Sequence, residues 1–484
     1  MSGPSMLAFS FLFIAVVSVY NTPLNSYYGY DSAFFLLIGK GIRQGLLPYL
    51  DLYDQKGPMI FYINALGYAL TGSRFGVFLL QVLSFFVSLL WIKKISRNWL
   101  QSRDEYMALF VFCFVFCGTV QEGNMTEEWS LPFLIRPLLL SLQFLRRNRR
   151  AFGHPLRYSL IYGVCFGVLF MFRATNTAPL CGLILAFIIM LIKEKKPLDL
   201  CKNAVTVILG MMLVVTPFLV YFARVGALDS FMEASLFHNF HYAVGGASSK
   251  TLLDWLVILA RVFPILMTLC VSPFLRKASA ESFPVLLTLN CVGLAGAAAM
   301  TLGYGYRHYY LILAPIITAD YALLIEYITT YFDKNRLKAL IILCTVLFLV
   351  PFAPQFVRQV GKAYYYDIYH SLDGDAARYK QLNEYIPAGT ERVWGYNYNA
   401  QIYLYTDLMP CYRYFALQEW MAEAQPEIMD EIDDMLQNDP PEWIFLRSSS
   451  DMTERLENEF SFERVAVIEN RYDIAIYRYV GGSS

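Results

Sequence analysis

The feature that most constrains this chain is the repetition of long apolar segments, each about long enough to cross a lipid bilayer. A membrane-spanning helix needs roughly 20 mainly apolar residues, and slightly fewer when flanking side chains reach the interface. A hydrophobic content of 57% against a charged content of 16% excludes an ordinary soluble protein. The predicted spans number about 11 and lie near residues 5–20, 76–92, 105–121, 129–145, 157–172, 176–192, 203–222, 252–271, 282–302, 308–328 and 338–356.

The orientation of these spans follows from the positions of Lys and Arg, which gather in loops on the cytoplasmic side. Segment 5–20 lacks a basic stretch before it and a small-residue cleavage site after it, so we interpret it as a retained span rather than a signal peptide. The basic loops follow every second span and are residues 93–103, 146–157, 193–202, 276–277 and 334–338. The pattern therefore predicts a cytoplasmic N-terminus and an extracytoplasmic C-terminus.

Three loops are then expected on the outer face. Residues 21–76 are long enough to contain two helices on the membrane surface, near 32–44 and 58–70. The second loop, 119–130, carries Glu122, Glu127 and Glu128 without Lys or Arg, and the third, 224–250, contains two histidines. Functional chemistry is expected on this face.

The composition changes after the last span, which predicts a membrane domain at 1–357 and a C-terminal domain at 358–484. The C-terminal part contains 11 Lys or Arg against 22 Asp or Glu, which argues against a nucleic-acid partner. Its pattern predicts strands at 393–405 and 443–446, a helix at 420–437 and a closing strand pair within 465–479. The predicted fold class is an all-α polytopic membrane bundle with a small extracytoplasmic α/β domain.

Sequence motifs in the predicted outer loops carry a family resemblance. Asp31 follows the first span, Pro48-Tyr49 comes next and Lys56-Gly57-Pro58 closes the run. The pattern continues at Thr126 to Phe133 and at Tyr306 to Tyr310. In this order the motifs resemble the GT-C type glycosyltransferases that use polyprenyl-phosphate sugars, especially the bacterial family similar to protein O-mannosyltransferases and the lipid A aminoarabinose transferase. The sequence departs from that family where Ser32 follows Asp31.

The resemblance implies a membrane glycosyltransferase that moves a monosaccharide from a polyprenyl-phosphate carrier to a glycan, lipid or protein acceptor. Such transfer needs a carboxylate base for the acceptor hydroxyl and cations for the departing phosphate. The resemblance also implies that the reaction inverts the configuration at the anomeric carbon and that it takes place in the bacterial plasma membrane. The implied residues are Asp31, Glu127 and Glu128 for catalysis, Lys56, Arg307 and His308 for the donor phosphate, and Tyr30, Tyr49, Asp54 and Tyr309 for substrate contacts. Arg173 is a further candidate for the donor phosphate, because it lies in a broken stretch between two spans near the outer surface.

Each of these residues also suits a structural role. Asp31 fits a helix N-cap, and Lys56 fits an interfacial lysine whose charge reaches water. Glu127 and Glu128 fit solvated loop acids, and the division of catalytic work between them and Asp31 stays open. His308 fits an interfacial histidine bonded to the backbone.

Two other questions stay open at the level of sequence. A divalent cation is compatible with an oxygen-rich set of candidate ligands, and the metal is unknown. These candidates are Asp31, Asp51, Asp54, Glu127, Glu128, His238 and His241. The alternative function is a polytopic transporter or flippase of lipid-linked saccharides, which would show broken helices in both halves, a polar site at the midplane and internal symmetry. A polymerase or ligase of lipid-linked oligosaccharides would place its large outer loop between late spans, whereas here the first outer loop is the long one.

Overall fold

A computed structural model describes residues 2–101, 104–238, 250–278, 281–365, 374–387, 389–423, 425–469 and 473–481. The chain is mainly helical. In order, the helices are α1 Gly3–Val17, α2 Tyr30–Arg43, α3 Pro58–Thr71, α4 Arg74–Ser96, α5 Glu105–Thr119, α6 Thr126–Asn148, α7 Leu156–Phe172, α8 Ala178–Lys193, α9 Pro197–Arg224, α10 Leu228–Met232, α11 Leu252–Lys277, α12 Phe283–Ala299, α13 Ala314–Tyr331, α14 Lys334–Leu349, α15 Ala353–Ala363, α16 Gly374–Lys380, α17 Gln401–Thr406, α18 Gln418–Ala422, α19 Glu427–Asn438 and α20 Met452–Asn458.

The predicted spans coincide with helices along the whole membrane region. Among the described residues, six helical segments are long and apolar enough to cross a membrane: Arg74–Ser96, Ala174–Lys193, Pro197–Arg224, Leu252–Lys277, Arg307–Tyr331 and Arg336–Ala363. Four shorter apolar helices add to them: Gly3–Val17, Glu105–Thr119, Leu156–Phe172 and Phe283–Ala299. The remaining predicted span, 129–145, lies inside α6, which carries prolines at 132 and 137. The chain is therefore a multi-pass membrane protein.

Residues Met1–Ser18, Phe78–Ala223 and Tyr242–Tyr364 form one compact unit. Its core is a continuous set of buried aliphatic and aromatic side chains drawn from most of its helices. Some helices approach so closely that only glycine fits between them. A Cβ atom on Gly163 would lie 2.0 Å from the Val207 carbonyl oxygen, and one on Gly182 would lie 2.2 Å from the Cys291 carbonyl oxygen. Small residues at such crossings let apolar helices pack backbone against backbone.

The second compact unit consists of Val19–Val77, Arg224–His241 and Tyr365–Ser484. It contains α2 and α3, the two helices expected on the membrane surface. Gly57 precedes Pro58 at the start of α3, and Gly72 ends that helix with a left-handed φ of 70°. A Cβ atom on Gly39 of α2 would lie 2.6 Å from the Asn64 Cβ atom of α3, so the two helices are in direct contact.

A four-stranded sheet forms the centre of the C-terminal part of this unit. Its strands are β1 Val393–Tyr396, β2 Trp443–Arg447, β3 Phe462–Ile468 and β4 Ile474–Tyr479, in the order β1-β2-β4-β3. β1 pairs with β2 in parallel, and both other pairings are antiparallel. β1 is buried along its whole length, as is β2 up to its final arginine. The predicted small α/β domain is thus confirmed.

Two boundaries in this region differ from the prediction. Segment 393–405 was expected as one strand, but the strand ends at Tyr396 because Asn397 takes a left-handed φ of 59°. Asn399 then accepts a hydrogen bond from the Gln401 backbone N–H (3.1 Å) and starts a short helix. The helix expected over 420–437 is divided into α18 and α19, and Pro426 directly precedes α19.

Candidate functional site

The first unit brings Glu127 and Arg173 together as a buried ion pair. Arg173 donates a hydrogen bond to the Glu127 Oε1 atom at 2.9 Å, and the two side chains are 11% and 1% exposed. Glu127 lies in the first turn of α6, where the positive end of the helix dipole favours a carboxylate. The Thr126 hydroxyl donates a second hydrogen bond to Glu127 at 3.0 Å. The pair is therefore held in one geometry.

Arg173 owes its position to a break between two helices. Its extended backbone (φ −169°, ψ 127°) ends α7, and a 3-10 turn at Ala174–Thr177 follows before α8. The guanidinium carbon lies 3.7 Å from the centre of the Tyr309 ring, which makes a cation–π contact. Tyr309 belongs to a second 3-10 segment, Arg307–Leu313. Arg173 thus contacts both Glu127 and Tyr309, and the three residues were predicted for three different roles.

Glu128 occupies a separate buried position beside the ion pair. Its Oε2 atom accepts a hydrogen bond from the Gln81 side chain at 2.7 Å, and its Oε1 atom accepts one from the Met125 backbone N–H at 3.3 Å. Gln81 also donates to the Ser18 hydroxyl at 3.2 Å. The sequence analysis missed Gln81, although a glutamine in an otherwise apolar span is a signal that could have found it.

Arg307 and His308 share contacts in the same unit. Arg307 donates to the Gln121 carbonyl oxygen (2.9 Å) and to the side-chain oxygens of Gln355 (3.1 Å) and Gln359 (3.2 Å). His308 is buried, and its Nδ1 atom lies 2.9 Å from the Gln121 side-chain oxygen. His308 therefore has a side-chain partner in Gln121.

In the second unit, Asp54 and Lys56 form a compact turn close to Asp31. The Lys56 backbone N–H donates to Asp54 Oδ1 at 2.8 Å. Burial raises the pKa of Asp54 to about 6; the Lys56 charge opposes this shift, and the Asp31 charge adds to it. Asp31 lies half-buried in the first turn of α2, and Gly29 rather than Asp31 holds the N-cap position. The N-cap alternative for Asp31 is therefore wrong.

The two predicted tyrosines of this unit differ in exposure. Tyr30 is 62% exposed at the first position of α2 and is available to a ligand. Tyr49 is fully buried, adopts a left-handed φ of 71° and donates its hydroxyl to the Lys56 carbonyl oxygen at 2.7 Å. A left-handed tyrosine is a strained conformation that its surroundings must hold. Tyr49 thus fixes the turn that carries Asp54 and Lys56.

Within the described ranges there is no group of three or more His, Cys, Asp or Glu side chains placed to hold a metal ion. His238 is buried, and His241 lies outside the described residues. Asp51 is occupied locally, since it accepts a hydrogen bond from the Leu47 backbone N–H at 2.7 Å.

The helices and the C-terminal sheet define a polytopic membrane protein with a helical bundle and a small α/β domain. Residues 4–316 match the family model described as "Putative competence-induced protein Ccs4 N-terminal domain", and the chain belongs to that family. A search of curated proteins gave no match.

Two solved structures of ArnT from Cupriavidus metallidurans share the fold. The one bound to undecaprenyl phosphate has a TM-score of 0.64 at 12% identity and covers 99% of both chains. The apo structure has a TM-score of 0.64 at 13% identity and covers 98% of both chains. The GT-C-type fold predicted from the outer-loop motifs is therefore confirmed.

Proposed function

We propose that this chain is a membrane glycosyltransferase that transfers a monosaccharide from a polyprenyl-phosphate carrier to an acceptor hydroxyl on a cell-envelope glycan, lipid or protein. The observation that carries the proposal is the end-to-end fold match with ArnT, whose solved structure binds undecaprenyl phosphate. The match includes the C-terminal domain as well as the bundle, because it covers 99% of both chains. The positions of Lys and Arg support a cytoplasmic N-terminus and transfer on the outer side of the membrane. The family resemblance of the outer-loop motifs supports a bacterial plasma membrane.

The reaction would run as a single displacement. The acceptor hydroxyl attacks the anomeric carbon, its proton passes to a carboxylate, and the bond between that carbon and the phosphate oxygen breaks. Polyprenyl phosphate leaves with the bonding electrons, and the configuration at the anomeric carbon inverts. We assign the proton to Asp31 and the charge of the departing phosphate to Lys56 and Arg307, with Arg173 and His308 as further donors.

The environment of Asp54 supports this assignment. A general base works best when its pKa lies near the working pH. Asp54 has a pKa of about 6, and the nearby Asp31 charge contributes to that value. Asp54 is therefore a second carboxylate of this loop that suits proton uptake, and its hydrogen bond from the Lys56 backbone N–H places it next to a proposed phosphate ligand.

The test is transfer by the full chain in lipid nanodiscs supplied with a panel of polyprenyl-phosphate sugars and membrane acceptors. Asp31→Asn and Lys56→Ala should each abolish transfer while retaining wild-type thermal unfolding. Asp51→Asn is the matched control, because it makes the same chemical change in the same loop at a side chain that accepts a local backbone hydrogen bond. Full transfer by Asp31→Asn would defeat the proposed base. Movement of lipid-linked saccharide across the bilayer without transfer would favour the flippase alternative.

A further inference from the structure

The second unit contains a polar cavity that the proposed reaction does not use. It has a volume of about 380 Å³, within the range of small-molecule binding sites. Its walls come from the connection before α2, the C-terminal ends of α2 and α3, the start of α4 and the end of α17. The residues that give it chemical character are Lys40, Arg74, Asp407, Tyr28, Tyr68 and Ser73.

Arg74 provides a fixed cation in this cavity. Its guanidinium group donates to the backbone carbonyl oxygens of Tyr27 and Asn25. The guanidinium carbon also lies 4.7 Å from the centre of the Tyr28 ring. An arginine has five N–H groups, and these two bonds use two of them. The carbonyls hold the side chain in place without neutralising its charge, so it is oriented in advance for an anion.

Lys40 provides a second cation, and its ion-pair partner is the exposed carboxylate of Asp407. Its Nζ atom lies 2.6 Å from Asp407 Oδ1, but the Asp407 side chain is 90% exposed. An exposed ion pair contributes little to stability and opens readily. An incoming anion could therefore replace Asp407 as the partner of Lys40.

The surroundings of the cavity indicate where its ligand comes from. Arg74 is the first residue of an apolar helix long enough to span a membrane, so the cavity lies at the end of a span. Large apolar side chains beside it are exposed, among them Leu24 (52%), Leu70 (58%) and Phe75 (39%). Side chains of this kind are covered when they face lipid, and the cavity then opens at the level of the lipid head groups.

We propose that this cavity binds the phosphate-bearing head group of an anionic membrane lipid. Arg74 and Lys40 bind the phosphate, and the hydroxyl groups of Tyr28, Tyr68 and Ser73 are available to head-group oxygens. Two cations against one carboxylate give the lining a net positive charge, which selects an anionic head group over a zwitterionic one. This binding is independent of glycosyl transfer.

The experiment is native mass spectrometry of the full chain, titrated with short-chain phosphatidylglycerol, phosphatidylcholine or glycerol 3-phosphate. Lys40→Gln should weaken the first phosphatidylglycerol binding step about tenfold. Asp407→Asn should strengthen it by a factor of about three, because the competing carboxylate is removed. Phosphatidylcholine binding should respond to neither substitution.

The matched control is a second ion pair of the same length in the same unit, Arg392 with Asp439, whose N–O distance is also 2.6 Å. Arg392→Gln and Asp439→Asn should leave the phosphatidylglycerol binding constant unchanged. Wild-type binding by both Lys40→Gln and Asp407→Asn would overturn the proposal. Glycerol 3-phosphate binding as tightly as the lipid, with the same response to the substitutions, would replace the lipid with a soluble ligand and overturn it as well.

Discussion

Removal of the negative charge from Glu127, with its shape retained, should destabilise the first unit strongly. At the observed separation of 2.9 Å, an effective dielectric constant of about 20 gives an attraction of about 6 kcal/mol between Glu127 and Arg173. The net effect is smaller because both groups lose water on burial. Breaking one side of a buried pair typically costs about 3–5 kcal/mol, since the other charge stays buried. We expect Glu127→Gln to lower the free energy of unfolding by that amount.

The assay is SDS-titrated unfolding of the full chain in mild detergent, applied as a double-mutant cycle. Arg173→Gln should also destabilise, and it additionally loses the contact with the Tyr309 ring. The double variant Glu127→Gln/Arg173→Gln should be at least about 2 kcal/mol more stable than the sum of the two single effects predicts. Strictly additive effects would refute the claim that the two charges stabilise each other.

The same variants separate stability from transfer. If Arg173 also binds the donor phosphate, the double variant should transfer sugar more slowly than wild type under conditions in which both are folded. A double variant with wild-type transfer would leave the pair with a structural role alone.

Two further predictions concern the second unit. Native Asp54 keeps its proton to about pH 6, whereas an ordinary carboxyl loses it near 3.8, so wild-type stability should fall as pH rises through this interval. Asp54→Asn should remove that slope in pH-dependent unfolding and add about 3 kcal/mol at pH 7, while Asp51→Asn should keep the slope. Gly39→Ala should lower the free energy of unfolding by about 1–3 kcal/mol, because its Cβ atom would meet the α3 backbone at 2.8 Å. Gly3→Ala, which meets nothing within 4 Å, should be neutral, and equal unfolding of both glycine variants would contradict the packing argument.

The helical framework was predictable because its signals are local. The length of an apolar segment predicts a span without reference to the rest of the chain. The helix expected at 58–70 is likewise observed, as Pro58–Thr71. The strand predicted over 401–406 is wrong, because neighbouring residues outweigh its alternating pattern. Its alternating Ile402 and Leu404 resemble a strand, but the side chain of Asn399 and the left-handed Asn397 redirect the backbone into a helix.

The contacts of the candidate site were less predictable, because they join residues that are far apart in sequence. Arg173 is 46 residues from Glu127, and Gln81 is 47 residues from Glu128. The sequence identified Glu127, Glu128 and Arg173 as candidate site residues. It carries no information about which carboxylate accepts a hydrogen bond from which donor. The role of Tyr49 was hidden in the same way, since a left-handed tyrosine has no local sequence signal.

These environments separate the roles that the sequence left open among the acidic residues. Glu127 would forfeit its ion pair with Arg173 by accepting a proton, and Glu128 uses both carboxylate oxygens to hold Met125 and Gln81. A base in the proposed transfer must take up a proton in every cycle without dismantling its surroundings. Asp31 is half-buried at the start of α2, and its charge acts on an Asp54 whose pKa of about 6 is suited to receive the proton. The proposed base is therefore Asp31 with Asp54, and Glu127 is better suited to keep Arg173 in position.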